Sequence, residues 1–134
     1  MNWKYVKPLK SKKLIKNFES KFNYKFPNSF ISIVNKYNGG RPEKALFDTY
    51  MFNQRAIKSL LSFNEGDKET MWKISEWNKS ELNNEYISFA IDNFGNLICF
   101  SIEDNSVVFL ELESLNVEKI ADDFDTFINN LYSK

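Results

Sequence analysis

The chain is 134 residues long, a length that fits one domain, and 43% of it is apolar, with aromatic residues at 16%. That composition supports a buried core and excludes a disordered chain. There is no histidine and only one cysteine, so His-dependent catalysis, His-ligated metals, an internal disulfide and a cysteine-only zinc site are all excluded.

The formal net charge is zero, but the charges are unevenly placed. Residues 1–64 carry 13 Lys/Arg against three acids (Glu19, Glu43, Asp48), and residues 65–134 carry five lysines against 15 acids. A +10/−10 division of this kind implies two oppositely charged faces, or two halves that pack on each other. Apolar runs such as Val107–Leu110 are far shorter than a bilayer requires. The start, Met-Asn-Trp-Lys-Tyr-Val-Lys-Pro, lacks an apolar secretory segment, so the expected location is the cytoplasm.

In chain order, Ser11 is a natural N-cap for a first helix to Phe22, with Leu14, Ile15, Phe18 and Phe22 on one stripe. Pro27-Asn28-Ser29 signals a second helix, with Phe30, Ile31, Val34 and Tyr37 at helical spacing. Asn38-Gly39-Gly40 ends it, with Pro42 just beyond. Residues 45–52 and 56–63 are expected to be strands, although Ile57, Leu60 and Leu61 also fit a helix. After the turn at 64–67, Met71, Trp72, Ile74 and Trp77 predict a helix to about Lys79. Three short runs, 86–91, 97–102 and 106–112, are separated by turn-forming clusters and predict an antiparallel meander. Alternation should turn Ile87, Phe89 and Ile91, then Ile98, Phe100 and Ile102, then Val108, Leu110 and Leu112 toward the core. A last helix follows from the stripe Ile120, Phe124, Phe127, Ile128 and Leu131, with Asp122, Asp123 and Asp125 near its N-terminus. Helices grouped against an antiparallel sheet make a single α+β domain.

The ordered segments resemble a known family. Phe26-Pro27, the helix from Phe30 to Tyr37 and Asn38-Gly39-Gly40 are similar to the opening of the SUKH superfamily (the Smi/Knr-type domain). Asp92 to Gly95-Asn96, between Ala90 and Leu97, resembles its central hairpin. Phe109 to Glu113 and Ile120 to Phe127 match its closing strand and helix, with Leu110 and Leu112 as departures from the usual Trp and polar residue. The resemblance implies an α+β fold without enzymatic activity or cofactor. It also implies a bacterial immunity protein that neutralises a cognate polymorphic toxin, commonly a nuclease, by direct binding; the alternative is a non-enzymatic scaffold or adaptor. No metal, membrane or direct nucleic-acid partner is expected, and the chain should be a monomer or weak homodimer.

An acidic surface can enter the cationic cleft of a nuclease and exclude its substrate. Asp92, Glu103, Asp104, Glu111 and Glu113 lie in hairpin loops or on the last strand and are the candidate contacts, expected to share an edge; solvation alone is the plainer reading of each. Glu111 and Glu113, two apart on an expected strand, should face the same way, but no second catalytic group stands near them. Trp3, Tyr5 and the N-terminal lysines could grip and stack on nucleic acid, or form a solvated helix face. Trp72 and Trp77 fit either an interface or the core. Cys99 reads as a small buried hydrophobe.

Overall fold

A computed structural model describes all 134 residues. Helix α1 (Leu14–Phe22) and helix α2 (Asn28–Tyr37) come first, after a two-residue strand β1 (Trp3–Lys4) that pairs antiparallel with β2 (Arg41–Pro42). The chain then lays down β3 (Leu46–Phe47), β4 (Arg55–Leu60), helix α3 (Met71–Glu81), β5 (Tyr86–Asp92), β6 (Leu97–Ser101), β7 (Val107–Glu111), β8 (Asn116–Ala121) and helix α4 (Phe124–Asn130). Strands β3 to β8 form one antiparallel sheet in sequence order, so the α+β meander expected from the sequence is what forms.

Several boundaries differ from the sequence reading. Ser11 does not cap α1; Lys13 does, without a side-chain bond. The segment after Phe47 leaves the sheet as a loop, and the second expected strand forms over the shorter range 55–60. Ile120 belongs to an additional strand, β8, and not to the last helix, which Asp123 caps by accepting from the Thr126 N–H at 2.7 Å.

Strict alternation also fails, because both faces of the middle strands are covered. Strand register puts Ile98, Phe100, Val107 and Phe109 on one face and Leu97, Cys99, Val108 and Leu110 on the other; all eight are buried. Ile102 and Leu112, expected in the core, lie in turns and are 37% and 36% exposed. The first face meets the helices through aromatic rings: Phe30 of α2 packs edge-on against Phe89, Phe100 and Phe124 at 5.3–5.6 Å. On the other face Asn78 of α3 donates to Ser88 at 2.7 Å, and Ser88 lies 3.2 Å from Cys99. Cys99 is fully buried, and burial pushes its thiol pKa up to about 12.

The sheet curls strongly. Phe47 on β3 and Phe109 on β7 have ring centroids 5.8 Å apart; four strand spacings of a flat sheet would separate them by roughly 19 Å. This curl draws the loop after β3 against the turns of β5–β6 and β7–β8.

The oppositely charged halves pack together. Three of the four ion pairs join them: Lys21–Glu76, Arg55–Asp92 and Lys58–Glu69. A buried polar cluster adds to this. Asn38, 1% exposed, donates to the Lys7 carbonyl at 2.7 Å and the Ser62 hydroxyl at 3.0 Å, and accepts from the Phe63 N–H at 2.9 Å. It ties the N-terminal segment, the end of α2 and the segment after β4 together. Gly39 follows in the left-handed region at φ +69°, and a Cβ on Gly40 would stand 2.8 Å from the Tyr37 carbonyl oxygen.

Candidate functional site

The five acids singled out in the sequence fall into three environments. Asp92 is a correction to the sequence reading: it is 1% exposed and does not present its carboxylate to a partner. Its Oδ1 accepts from the N–H groups of Phe94 and Asn96, both at 2.8 Å, and its Oδ2 accepts from the Asn96 side chain at 3.1 Å and faces Arg55 at 3.9 Å. Gly95, at φ +87°, lets the chain reverse inside this ring of bonds. Asn96 passes the constraint on, accepting from the Leu112 N–H in the next turn at 3.1 Å.

Glu103 and Asp104 are exposed in the β6–β7 turn. Asp104 accepts from the Ser106 N–H at 2.9 Å, and its bonds to Ser106 hold its carboxyl below the ordinary range. A shallow cleft of about 410 Å³ beside it is lined by Asn84, Glu85, Tyr86, Ser101, Ile102 and Glu103.

Glu111 and Glu113 stand at the opposite end of β7, roughly 17 Å of strand away. The five acids therefore do not share an edge. Nor do Glu111 and Glu113 form a same-face strand pair, because β7 ends at Glu111 and Glu113 lies in the turn that follows. Glu111 accepts from the Ser114 hydroxyl at 2.8 Å, closing that turn. No group of three or more Cys, Asp or Glu side chains converges as a metal site.

The Glu111 end carries features that the sequence reading passed over. Ten large apolar side chains are exposed, and seven of them are here: Tyr50, Met51, Phe52, Phe94, Leu112, Leu115 and Val117. They belong to three neighbouring segments: the 48–54 loop, the β5–β6 turn, and the β7–β8 turn with the start of β8. The loop is held from several sides. Thr49 receives the Phe52 N–H at 3.0 Å, Asp48 receives the Gln54 N–H at 2.9 Å and the Tyr132 hydroxyl, and Glu118 on β8 receives the Tyr50 N–H. The Tyr132 bond holds the Asp48 carboxyl below its usual range. Arg55 supports the loop from beneath, with its guanidinium 4.3 Å from the Phe52 ring centre and 5.3 Å from that of Phe109. Between Phe52 and Phe94 lies a cleft of about 330 Å³ with Arg55 and Ala56 among its lining residues.

One signal for this surface was present in the sequence: Phe94 sits between Asn93 and Gly95, an aromatic in a turn, where burial is difficult. The tryptophans take other roles. Trp3 stacks on Tyr37 at 5.4 Å, and Trp72 donates its indole N–H to the Phe63 carbonyl at 2.8 Å while meeting Phe18 edge-on.

No curated protein sequence matches the chain closely enough to count as a relative. The family comparison, by contrast, covers both helices of the opening motif, the central hairpin whose turn Asp92 and Asn96 organise, and the closing helix. Over residues 11–130 the sequence matches the model of the SMI1 / KNR4 family (SUKH-1), and the chain belongs to that family.

Proposed function

We propose that this chain is an immunity protein: a non-enzymatic cytoplasmic binder that holds a cognate toxin, a nuclease domain, inactive by covering the surface the toxin uses on its substrate. The observation that carries this reading is membership of a family of generally non-catalytic immunity proteins, over nearly the whole chain. The distribution of charge supports it. Residues 65–134 carry an excess of 10 negative charges, and a nuclease cleft is built to hold phosphates. An acidic protein surface competes for the same cations and speeds encounter by about 10- to 1000-fold at low salt.

The test is co-expression with the toxin domain encoded beside this gene, followed by co-purification. Survival of the host and a stable complex are expected. If the chain gives no protection and does not associate with that domain, the proposal fails and the scaffold reading takes its place.

A further inference from the structure

We propose that the toxin-facing surface is the end of the curled sheet where the 48–54 loop and the β5–β6 and β7–β8 turns meet, and that it docks on a protein surface with an apolar centre and a lysine- or arginine-rich rim. This inference rests on the immunity reading and adds to it the location of the interface and the chemistry of the partner.

Three observations converge on this end of the molecule. The first is the exposed apolar cluster: Phe94 is 81% exposed, Tyr50 89%, Met51 72% and Leu115 47%, and only three other large apolar side chains, Met1, Tyr5 and Ile102, are exposed elsewhere. Clusters of this kind mark interaction surfaces more often than scattered exposed residues do. The second is conformational. Leu115 sits at φ +60°, a left-handed position where asparagine or glycine is easily held and leucine is strained. The turn keeps an exposed leucine in a conformation that disfavours it, which solvation does not explain.

The third observation is charge, and it selects the occupant. Asp48, Glu111, Glu113 and Glu118 surround the apolar cluster, and no lysine occurs in residues 48–56, 93–96 or 111–118. The one cation there, Arg55, has a side chain 14% exposed and lies against Asp92 and Phe52. Phosphates of a nucleic acid and anionic lipid headgroups are repelled by such a rim. A second copy of this chain, docked tip to tip, would oppose four carboxylates with four more. A basic protein surface satisfies both the apolar centre and the acidic rim. The support beneath the loop, from Thr49, Glu118 and Arg55, holds the surface in shape before the partner arrives, which reduces the ordering that binding requires.

The experiment measures affinity for the neighbouring toxin domain by calorimetry at two salt concentrations, with the thermal midpoint and oligomeric state of each variant alongside. Leu115→Asn and Phe94→Ser are expected to weaken binding by at least about tenfold. Their thermal midpoints should match or, for Leu115→Asn, exceed that of the parent chain. Glu113→Lys should weaken binding and flatten its salt dependence, whereas Glu103→Lys with Asp104→Lys, at the far end, should change affinity by no more than about threefold at the higher salt concentration, where distant charges are screened. If the parent chain binds and the tip variants bind equally well, the interface lies elsewhere and the immunity reading stands. A concentration-dependent dimer of the parent chain that Leu115→Asn abolishes would make a second copy the occupant and overturn the assignment. If the parent chain does not bind the domain at all, the immunity reading fails and this inference fails with it.

Discussion

Replacing Asp92 with alanine tests whether this acid is a structural anchor or a surface contact. The carboxylate accepts three hydrogen bonds and faces the Arg55 guanidinium, while its side chain is 1% exposed. Hydrogen bonds to a charged acceptor contribute about 1.5–3 kcal/mol each, but the three are not additive. Phe94 is exposed, so water can reach its freed N–H. The Asn96 amide and Arg55, whose Nε already has no partner, are covered and are left with groups that water reaches poorly. Breaking a buried charged interaction costs about 3–5 kcal/mol, and the long 3.9 Å contact to Arg55 places this case at the lower end, about 3–4 kcal/mol. Unfolding entropy of about 2.1 cal/mol/K per residue amounts to about 0.28 kcal/mol/K over 134 residues, so Tm should fall by about 11–14 °C. Urea unfolding and calorimetry measure both quantities. Asp92→Asn keeps an oxygen for the two backbone donors but turns an amide toward the Asn96 amide and Arg55, and should lose about half as much. Glu113→Ala should stay within about 0.5 kcal/mol of the parent chain. Asp92→Ala losing less than about 1 kcal/mol while partner binding collapsed would refute the anchor and return Asp92 to the interface.

Other outcomes follow from the same geometry. The Ser62 hydroxyl donates to Asp67 at 2.6 Å and is the main cause that lowers the Asp67 pKa in the folded chain. Its contribution should therefore be fully present above the ordinary carboxylate value of about 3.9 and lost as pH falls through the lower folded value. The Tm gap between parent and Asp67→Asn should be full at pH 6 and shrink below about pH 4; a gap constant down to pH 3 contradicts it. Gly40→Ala, which drives a Cβ to 2.8 Å from the Tyr37 carbonyl, should destabilise by about 1–3 kcal/mol in urea, and a neutral result would show that the backbone there yields. Cys99, buried and held neutral by a pKa near 12, should resist a disulfide reagent at pH 8 and react fully once unfolded; rapid native labelling would mean that the sheet opens locally.

The elements that were readable in the sequence are those whose pattern is set locally. Helices α1 and α2 show their stripes, and β5, β6 and β7 are bounded by turn-forming residues. Strand β8 was hidden because Ile120 stands four residues before Phe124, a spacing that continues the helical stripe by coincidence; only pairing with β7 makes it a strand. Tyr50-Met51-Phe52 reads as more strand after Phe47, and what removes it from the sheet is the closure of a loop by Thr49, Asp48 and a carboxylate 68 residues away on β8. Asp92 reads as an ordinary solvated turn acid. Its burial depends on Arg55 and on the β7–β8 turn, neither of them near it in the chain.

The same pattern separates two kinds of residue within single turns. In 92–96 the outer residues, Asp92 and Asn96, are buried and bonded, whereas Phe94 between them projects into solvent with its backbone already held. In the β7–β8 turn, Glu111 is tied to Ser114 while Leu112, Glu113 and Leu115 project outward. Fixing the backbone through one set of side chains frees the other set to change at little cost in stability, since surface substitutions away from caps and bonds usually stay within about 0.5 kcal/mol. A binder that must match one particular partner gains from that separation. The outward side chains can be exchanged, for example Phe94 for another large residue, while the turn that presents them keeps its shape. If this tip is the interface, affinity can be tuned at Phe94 independently of the fold, whereas a change at Asp92 or Asn96 would alter both together.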